Sequence, residues 1–538
     1  MQKVLTAEQM REVDRLTTEK YGIPSLLLME NAAHAVARVI TEKLGGSVEG
    51  KSILILCGKG NNGGDGTALS RILWQDGAHV AVLLFGLITE VRGDAKTNFD
   101  ILRRIEDGAA TSVVFNKLGI QDNRFDLIPT LEGMLCDDKI ELVVDALFGT
   151  GLTSPLTDIF VEALQRLENH RPLMLAVDLP SGLDADSNEP LGPHVNATTT
   201  VTFTAPKQAN VVAPASQFNG ELIVTNIGSP QELIDQQPSQ LFLAMPDDAI
   251  SWLSKSAFTS ASYKNKRGHV LMIAGSRDYT GAAVLCGNSA IRSGVGLVTL
   301  AVPESSRESV VARVTPEVMV RGIAETTNGS AAVAAFDEIN GFLKNVDVIA
   351  IGSGLSSKED ETREFILRIV EERKTPVVID ADGLTALSPF NIEGSVELPL
   401  ILTPHKGEFM RLLGTEDKSF IKDRVAAVRN FAVKHKVILL LKGERALIGE
   451  PGGKVVVNPT GNSGLGKAGN GDTLTGLIAG FAAQAVQMKI DMFETVVAAV
   501  YVAGMAGDIA EKKYGKRVMT ASDVRDCLTE VFDSLVPR

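Results

Sequence analysis

Apolar positions along this chain fall into two alternations of strand-like and helix-like runs. Residues 6–44 carry the helical spacing, with Thr6 and Gln9 three apart as a capping box and Pro24 opening a second amphipathic stretch that Gly45 and Gly46 close. Ser52–Cys57 is a continuous apolar run of strand length, and it leads directly into Gly58-Lys-Gly-Asn-Asn-Gly-Gly-Asp-Gly66 and a helical run through Trp74. Further apolar runs at 80–85, 142–147, 173–177 and 201–204 have helical segments between the first four. That alternation predicts a mostly parallel sheet covered by helices on both faces, with ligands held beyond the carboxyl ends of the strands. Three polar, glycine-bearing loops fall there, at 58–66, 149–155 and 178–184.

A polar stretch from Gly228 to Gln240, with two prolines and four glutamines, predicts a boundary. The expected division is 1–227, a linker over 228–246, and a second domain over 247–538. The second alternation runs through 269–274, 297–302, 346–351, 376–379, 400–402 and 437–441, each strand again ending in a polar loop. The two halves share a layer type without matching motifs.

Length and charge narrow the class. At 538 residues the chain exceeds one ordinary domain, and its net charge of −13 without a cluster of basic residues argues against nucleic acid or an anionic membrane as partner. Four widely spaced cysteines, Cys57, Cys136, Cys286 and Cys527, form no Cys-x-x-Cys pair and read as buried thiols of a reducing compartment. No apolar run is expected to span a membrane and no signal-type core is present, so a cytoplasmic protein is expected, with a homo-oligomer compatible.

Two stretches carry candidate chemistry. In Gly58–Gly66 adjacent amides and an aspartate stand where a dinucleotide fingerprint has free positions, more than a tight turn requires. Side-chain oxygens of Asn62, Asp145 and Ser181, all at or just after strand ends, are candidates for holding a monovalent cation. In the second half, Gly461-Asn-Ser-Gly-Leu-Gly-Lys-Ala468 falls one hydroxyl short of a Walker A loop, since Ala468 cannot hold magnesium. The next four residues, Gly469-Asn-Gly-Asp472, run into an apolar helix and offer free N–H groups and a helix dipole suited to a phosphate. Asp472 there is either a helix cap or a base beside an incoming phosphoryl group. Of Asp380 and Asp382, one is expected to face the cleft and the other to cap the next helix.

Several motifs together resemble a known pair of domains. Gly22–Leu26, Met29-Glu-Asn-Ala32, Asn61–Asp65, Asp145–Leu152 and Val177–Asp184 resemble the NAD(P)H-hydrate epimerase domain. Tyr279–Ala282, Gly352–Gly354, Thr403–Leu412, Lys442–Ala446 and Gly469–Asp472 resemble the ADP-dependent NAD(P)H-hydrate dehydratase, a ribokinase-like fold. Fused in this order they resemble the bifunctional NAD(P)H-hydrate repair enzymes of bacteria, over nearly the whole chain outside the linker. The resemblance implies an α/β protein, a Rossmann-like three-layer domain followed by a ribokinase-like one. It implies hydrate binding by Asn61, Asn62, Gly63, Gly64, Asp65, by Gly149, Thr150, Gly151, Leu152, Thr153, Ser154, Pro155, and by Asp178, which would be the acid/base at C6. It gives Asn62, Asp145 and Ser181 to potassium. In the second half it gives the hydrate to Ala282, Gly354, His405 and Asp472, and the nucleotide to Lys442, Gly443, Glu444, Arg445, Ala446 and Gly471. Asp472 would deprotonate the 6-hydroxyl for phosphorylation by ADP with magnesium. Asn470 stands where many dehydratases carry Thr, which leaves ADP against ATP open. The competing readings are a small-molecule kinase, which would release a phosphorylated product, and a first half that only binds.

Overall fold

In a computed structural model, which describes residues 1–107, 113–116, 127–137 and 139–536, the chain forms two compact units. One is Lys3–Ser239; the other is Gln240–Arg538 together with Met1 and Gln2. The expected linker is therefore folded. Gln231–Asp235 is a short helix that buries Leu233 and Ile234 among Leu5, Met10 and Val13, and Leu241–Leu243 is a strand of the second sheet. The glutamines and prolines of this stretch hid the few apolar residues that decide its packing.

The first unit has a seven-stranded sheet, in the order Val113–Asn116, His79–Leu84, Ser52–Cys57, Ile140–Ala146, Met174–Val177, Thr199–Phe203, Glu221–Thr225. Every pairing is parallel. Helices Ser25–Lys43, Asn61–Gln75 and Gly93–Asp107 pack on one face, Leu127–Leu135 and Ile159–His170 on the other, which makes the expected Rossmann-like three layers. The chain moves outward from Ser52–Cys57 to one edge and then returns to Ile140–Ala146 on the other side. This reversal opens a crevice at the carboxyl ends of those two strands. The helix Ala7–Tyr21 begins at Thr6 with both bonds of the capping box formed and ends on Gly22 in the left-handed conformation.

The second unit is built on an eleven-stranded sheet. From Leu241–Leu243 the order is Val455–Val457, Leu447–Gly449, Ile438–Leu441, Leu400–Leu402, Val377–Ile379, Val348–Ile351, His269–Ile273, Leu297–Pro303, Val318–Ile323. Leu447–Gly449 alone runs antiparallel to its two neighbours among these strands. Gln2 begins the eleventh strand at the edge beside Leu241–Leu243, and the Met1 ammonium meets Asp248 Oδ1 at 2.6 Å. Asn470–Met488 packs so closely on Thr280–Arg292 that a Cβ on Gly476 would lie 2.3 Å from the Cys286 carbonyl oxygen, and one on Gly480 2.0 Å from Ser293 Oγ. These glycines serve helix contact rather than backbone freedom.

The structure corrects two expectations. The helix Met492–Tyr514 is, by length and composition, apolar enough to cross a membrane, contrary to the expectation from the sequence. Most of its apolar residues are instead buried in the core of the second unit, in one cluster with Phe481, Leu477 and Trp252. Among the cysteines, Cys57, Cys286 and Cys527 are buried as expected, but Cys136 is exposed just past a short helix.

Candidate functional sites

In the first unit the strand Ser52–Cys57 runs into a helix that starts at Asn61, with Gly60 as its cap. Asn61, Asn62, Gly63, Gly64 and Asp65 are thus helical and not a free loop. A Cβ on Gly63 would stand 1.8 Å from the Gly58 carbonyl oxygen, and one on Gly64 2.8 Å from Met29 Cε. These two glycines are demanded by packing, and they let the first helical turn sit close to the strand end. Asn61, Asn62 and Asp65 line a cavity of about 520 Å3 with Gly149, Thr150, Gly151, Leu152 and Asp178. Thr153, Ser154 and Pro155 are exposed and lie outside that lining. The chain has turned outward there, so only the first four residues of the 149–155 loop reach the cavity.

Asp178 follows the strand Met174–Val177 with its backbone at φ +68°, a conformation uncommon for a residue with a side chain. Its carboxylate is held from below. The buried Lys207 ammonium donates to Asp178 Oδ1 at 2.5 Å and to Thr202 Oγ1 at 2.9 Å, and the Thr202 hydroxyl donates to the same Oδ1 at 3.0 Å. Oδ2 points toward the Gly149 side, where a Cβ would come within 3.2 Å of it. The sequence reading missed Lys207, although a lysine a few residues past a fully buried strand is a detectable signal.

It also missed Asp14, which the helix Ala7–Tyr21 presents to the same cavity beside the buried stripe of Met10, Val13 and Thr17. Burial raises the Asp14 carboxyl to about 6, with Lys207 opposing and Asp178 adding to the rise. Burial likewise pushes Asp65 well above the usual carboxylate range, reinforced by Asp178 and Asp14.

Asp145 and Ser181 lie beneath the cavity, both fully buried. Ser181 donates its N–H to Asp145 Oδ2 at 2.7 Å and its hydroxyl to Oδ1 at 2.6 Å, and the Leu147 N–H adds a bond to Oδ1 at 3.2 Å. Burial lifts Asp145 to about 6, and the bonds from Ser181 and Leu147 oppose that rise. Asn62 Nδ2 is buried without a hydrogen-bond partner among the described residues. That unpartnered atom is an N–H donor and does not itself call for a cation. The oxygen donors offered here are the buried Asp145 carboxylate, which has no cationic side chain bonded to it among the described residues, the Ser181 hydroxyl and Asn62 Oδ1, a hard set that fits a monovalent cation.

The second unit's site gathers at the carboxyl ends of its central strands. Gly469, at φ +91°, precedes the helix Asn470–Met488, and no side chain caps it among the described residues. Asp472 is the third residue of that helix, so the cap reading is excluded. Burial raises its carboxyl to about 6; the Ser353 hydroxyl and Lys442 oppose the rise, and Asp380 and Asp382 add to it. Lys442, just past Ile438–Leu441, donates to buried Asp380 Oδ1 at 2.6 Å and stands 4.0 Å from Glu408 Oε2. Burial works against the Lys442 charge, yet Asp380 and Glu408 more than offset it and its pKa is raised. Thr475 donates to Asp380 Oδ2 at 2.8 Å, tying the start of the Asn470–Met488 helix to the same carboxylate. A Cβ on Gly471 would lie 3.6 Å from Asp380 Oδ2 and 3.7 Å from Lys442 Nζ, so Gly471, Lys442 and Asp380 form one wall.

Asp382 does not cap its helix. It accepts the Ser356 N–H at 2.9 Å and so fixes the turn after Gly354, while Ala381 occupies the cap position. Gly354 and Ala282 meet, since a Cβ on Gly354 would come within 2.8 Å of Ala282 Cβ. His405 carries a structural duty that sequence reading did not foresee. Its Nδ1 accepts the Gly407 and Glu408 N–H groups at 2.9 and 3.3 Å as a helix cap, which places the ring proton on the exposed Nε2. The 442–446 loop is anchored to the His405 loop by Lys442 N–H to the Pro404 carbonyl at 2.8 Å. Arg445, at φ +50°, is held below its ordinary pKa by burial, and Gly443 and Glu444 stand over Arg424, whose guanidinium donates to the Glu444 carbonyl at 3.2 Å. Ala446 closes the loop by accepting Asn458 N–H at 2.8 Å. Lys467 donates to the carbonyls of Arg517 and Met519 at 2.7 and 2.9 Å, which takes it out of any P-loop role.

Two α/β units, each with a desolvated carboxyl group at the carboxyl ends of its strands, define a fused pair of small-molecule enzymes. Comparison with known proteins narrows this. The profile of the family described as NAD(P)H-hydrate dehydratase matches residues 270–530, and that described as YjeF-related protein N-terminus matches residues 25–209. The bifunctional NAD(P)H-hydrate repair enzyme Nnr of Moorella thermoacetica is 38% identical over 533 residues, 99% of this chain and 97% of its own. The protein of the same name from Thermofilum pendens is 33% identical over 535 residues, 99% of this chain and 97% of its own. The solved ADP/ATP-dependent NAD(P)H-hydrate dehydratase of Bacillus subtilis, co-crystallised with ATP and Mg2+, is 28% identical with a TM-score of 0.47, covering 55% of this chain and 99% of that one. The chain belongs to the family of bifunctional NAD(P)H-hydrate repair enzymes.

Proposed function

We propose that the protein restores hydrated nicotinamide cofactors, the first unit inverting C6 of NAD(P)H hydrate and the second dehydrating the S epimer with ADP. The observation that carries this reading is the pairing of two sites in a chain of this family. The Asp178–Lys207 cavity fits proton transfer at a hemiaminal carbon, and Asp472 stands beside an N–H-rich helix start that fits phosphoryl transfer.

In the first site Asp178 exchanges a proton with the 6-hydroxyl, while Asn61, Asp65 and the 149–152 turn hold the hydrate. Asn62, Asp145 and Ser181 would hold potassium, whose charge would offset the buried Asp145 carboxylate.

In the second site Asp472 removes the proton from the S hydroxyl. The oxygen bonds the terminal phosphorus of ADP as the bridging P–O bond to AMP breaks. The C6–O bond then breaks with its electron pair leaving on phosphate, a C5 proton is lost, and the ring double bond reforms. The products are NAD(P)H, AMP and phosphate. Lys442, drawn between Asp380 and Glu408, and the backbone of Gly443, Glu444, Arg445, Ala446 and Gly471 place the nucleotide. Ala282, Gly354 and His405 Nε2 contact the hydrate. Magnesium would accompany the nucleotide phosphates.

Product analysis tests the assignment. Pure S hydrate with ADP and magnesium should yield reduced nicotinamide, AMP and free phosphate in equal amounts. A stable phosphorylated hydrate without phosphate release would make the second unit a kinase.

A further inference from the structure

Asp14 is a carboxyl group of the first cavity with no part in the hydroxyl chemistry assigned to Asp178. The helix Ala7–Tyr21 places it in the cavity lining with Arg11, on an element separate from those that carry Asp178 and Asp65. Its Oδ1 is buried and has no hydrogen-bond partner among the described residues. An unpartnered buried carboxyl oxygen is costly unless a ligand or a proton satisfies it. Asp178 already has Lys207 and Thr202 on Oδ1. The two carboxyls therefore differ in kind: one is the charged half of an ion pair, the other stands free and desolvated.

We propose that Asp14 is a second catalytic group of the epimerase site, giving a proton to the ring nitrogen N1 of the hydrated nicotinamide while Asp178 takes the proton of the 6-hydroxyl. This rests on the epimerase reading of the first unit and goes beyond it by naming the acid. The C6–N1 bond breaks with its electron pair going to N1, which receives the Asp14 proton. The O–H bond breaks with its pair forming the C6 carbonyl, and Asp178 receives that proton. After rotation about the adjoining C–C bond, N1 attacks the other face of the carbonyl. N1 returns its proton to Asp14 and the oxygen recovers its own from Asp178, so no atom, proton or electron is gained or lost.

The charged groups around Asp14 are consistent with this division. Arg11 on its own helix, Asp65 from the Asn61–Gln75 helix, Asp178 and Lys207 from strand ends, and Lys59 and Asp94 all line the same cavity. Burial and Asp178 lift Asp14 to about 6 against the pull of Lys207, so the free protein can carry a proton there close to neutral pH.

The test uses the full chain and the purified R epimer of NADH hydrate without ADP, so that the dehydratase is silent and the S epimer is read by chromatography. The acid must be protonated to act, so wild-type kcat/KM should fall as pH rises through the Asp14 value of the free protein. Asp14→Asn should lower kcat about 100-fold, with KM changed less than about threefold, and should abolish that alkaline limb. Asp14→Glu keeps a carboxyl and should retain the limb at a shifted pH. A wild-type kcat and limb in Asp14→Asn would overturn the proposal, as would a loss wholly in KM with the limb intact. If Asp14→Asn fails to fold, the Glu variant decides, and a limb that does not move rules Asp14 out. Wild-type protein without epimerisation above the spontaneous rate would remove the epimerase reading itself, a result distinct from failure of Asp14 alone.

Discussion

Asp472→Asn removes a charge without changing shape, and it should both cripple the second site and stabilise the unit that carries it. Burial and the nearby Asp380 raise the carboxyl from an ordinary 3.8 to about 6, against Ser353 and Lys442. At about 1.4 kcal/mol for each unit, the folded protein holds this carboxylate at a cost on the order of 3 kcal/mol once pH exceeds both values. Because the folded pKa is the raised one, the cost is complete near pH 8, falls to about half by pH 5, and vanishes below the unfolded value. The asparagine variant avoids it, so its second-unit unfolding midpoint should rise by roughly 5 °C at pH 8 and by less at pH 5 in scanning calorimetry. Loss of the base should cut phosphate release from the S hydrate at least about 100-fold. A variant no more stable than wild type at pH 8, or equally stabilised at pH 8 and pH 5, would refute the desolvated carboxylate. One that gained stability yet kept its turnover would leave Asp472 strained for some purpose other than proton removal.

Lys207→Met breaks a buried ion pair and leaves Asp178 without its cation, which should destabilise the first unit by about 3–5 kcal/mol in urea unfolding and sharply reduce epimerisation. Turnover of pure S hydrate should be retained. Gly480→Ala drives a Cβ to 2.0 Å from Ser293 Oγ and should cost about 1–3 kcal/mol, part of it recovered in the double variant with Ser293→Ala. His405→Asn keeps a side-chain acceptor for the helix cap but removes Nε2, so stability should hold while KM for the S hydrate rises; an unchanged KM would make His405 a cap alone. Replacing potassium by lithium should slow epimerisation, and Asp145→Asn should remove that ion dependence.

Much of this was legible in the sequence because strand ends are marked twice, by an apolar run and by the polar residue after it. Asp178, Asp380 and Lys442 each follow such a run directly, and Asp145 lies within the last residues of one. Long-range effects escaped. Asp14 sits within a helix whose spacing only says that one face is buried, and nothing local reports that this face borders a cavity. Lys207 becomes the partner of Asp178 only when separate strands lie side by side. Gly63 and Gly64 looked like loop residues because glycine signals both a turn and a close approach, and only the packing of Met29 and Gly58 decides between them. The strand Val318–Ile323, at the edge of its sheet, buries only its first and last residues and lacks the continuous apolar run that marked the central strands.

The central claim is that one chain carries two consecutive activities. The most direct measurement is recovery of reduced nicotinamide, by near-ultraviolet absorbance, from a mixture of both NADH hydrate epimers with ADP, magnesium and potassium. Two consecutive activities predict complete recovery, faster than spontaneous epimerisation allows, with one phosphate released for each cofactor restored. Recovery that stops at the S fraction and then creeps at the spontaneous rate would contradict the claim.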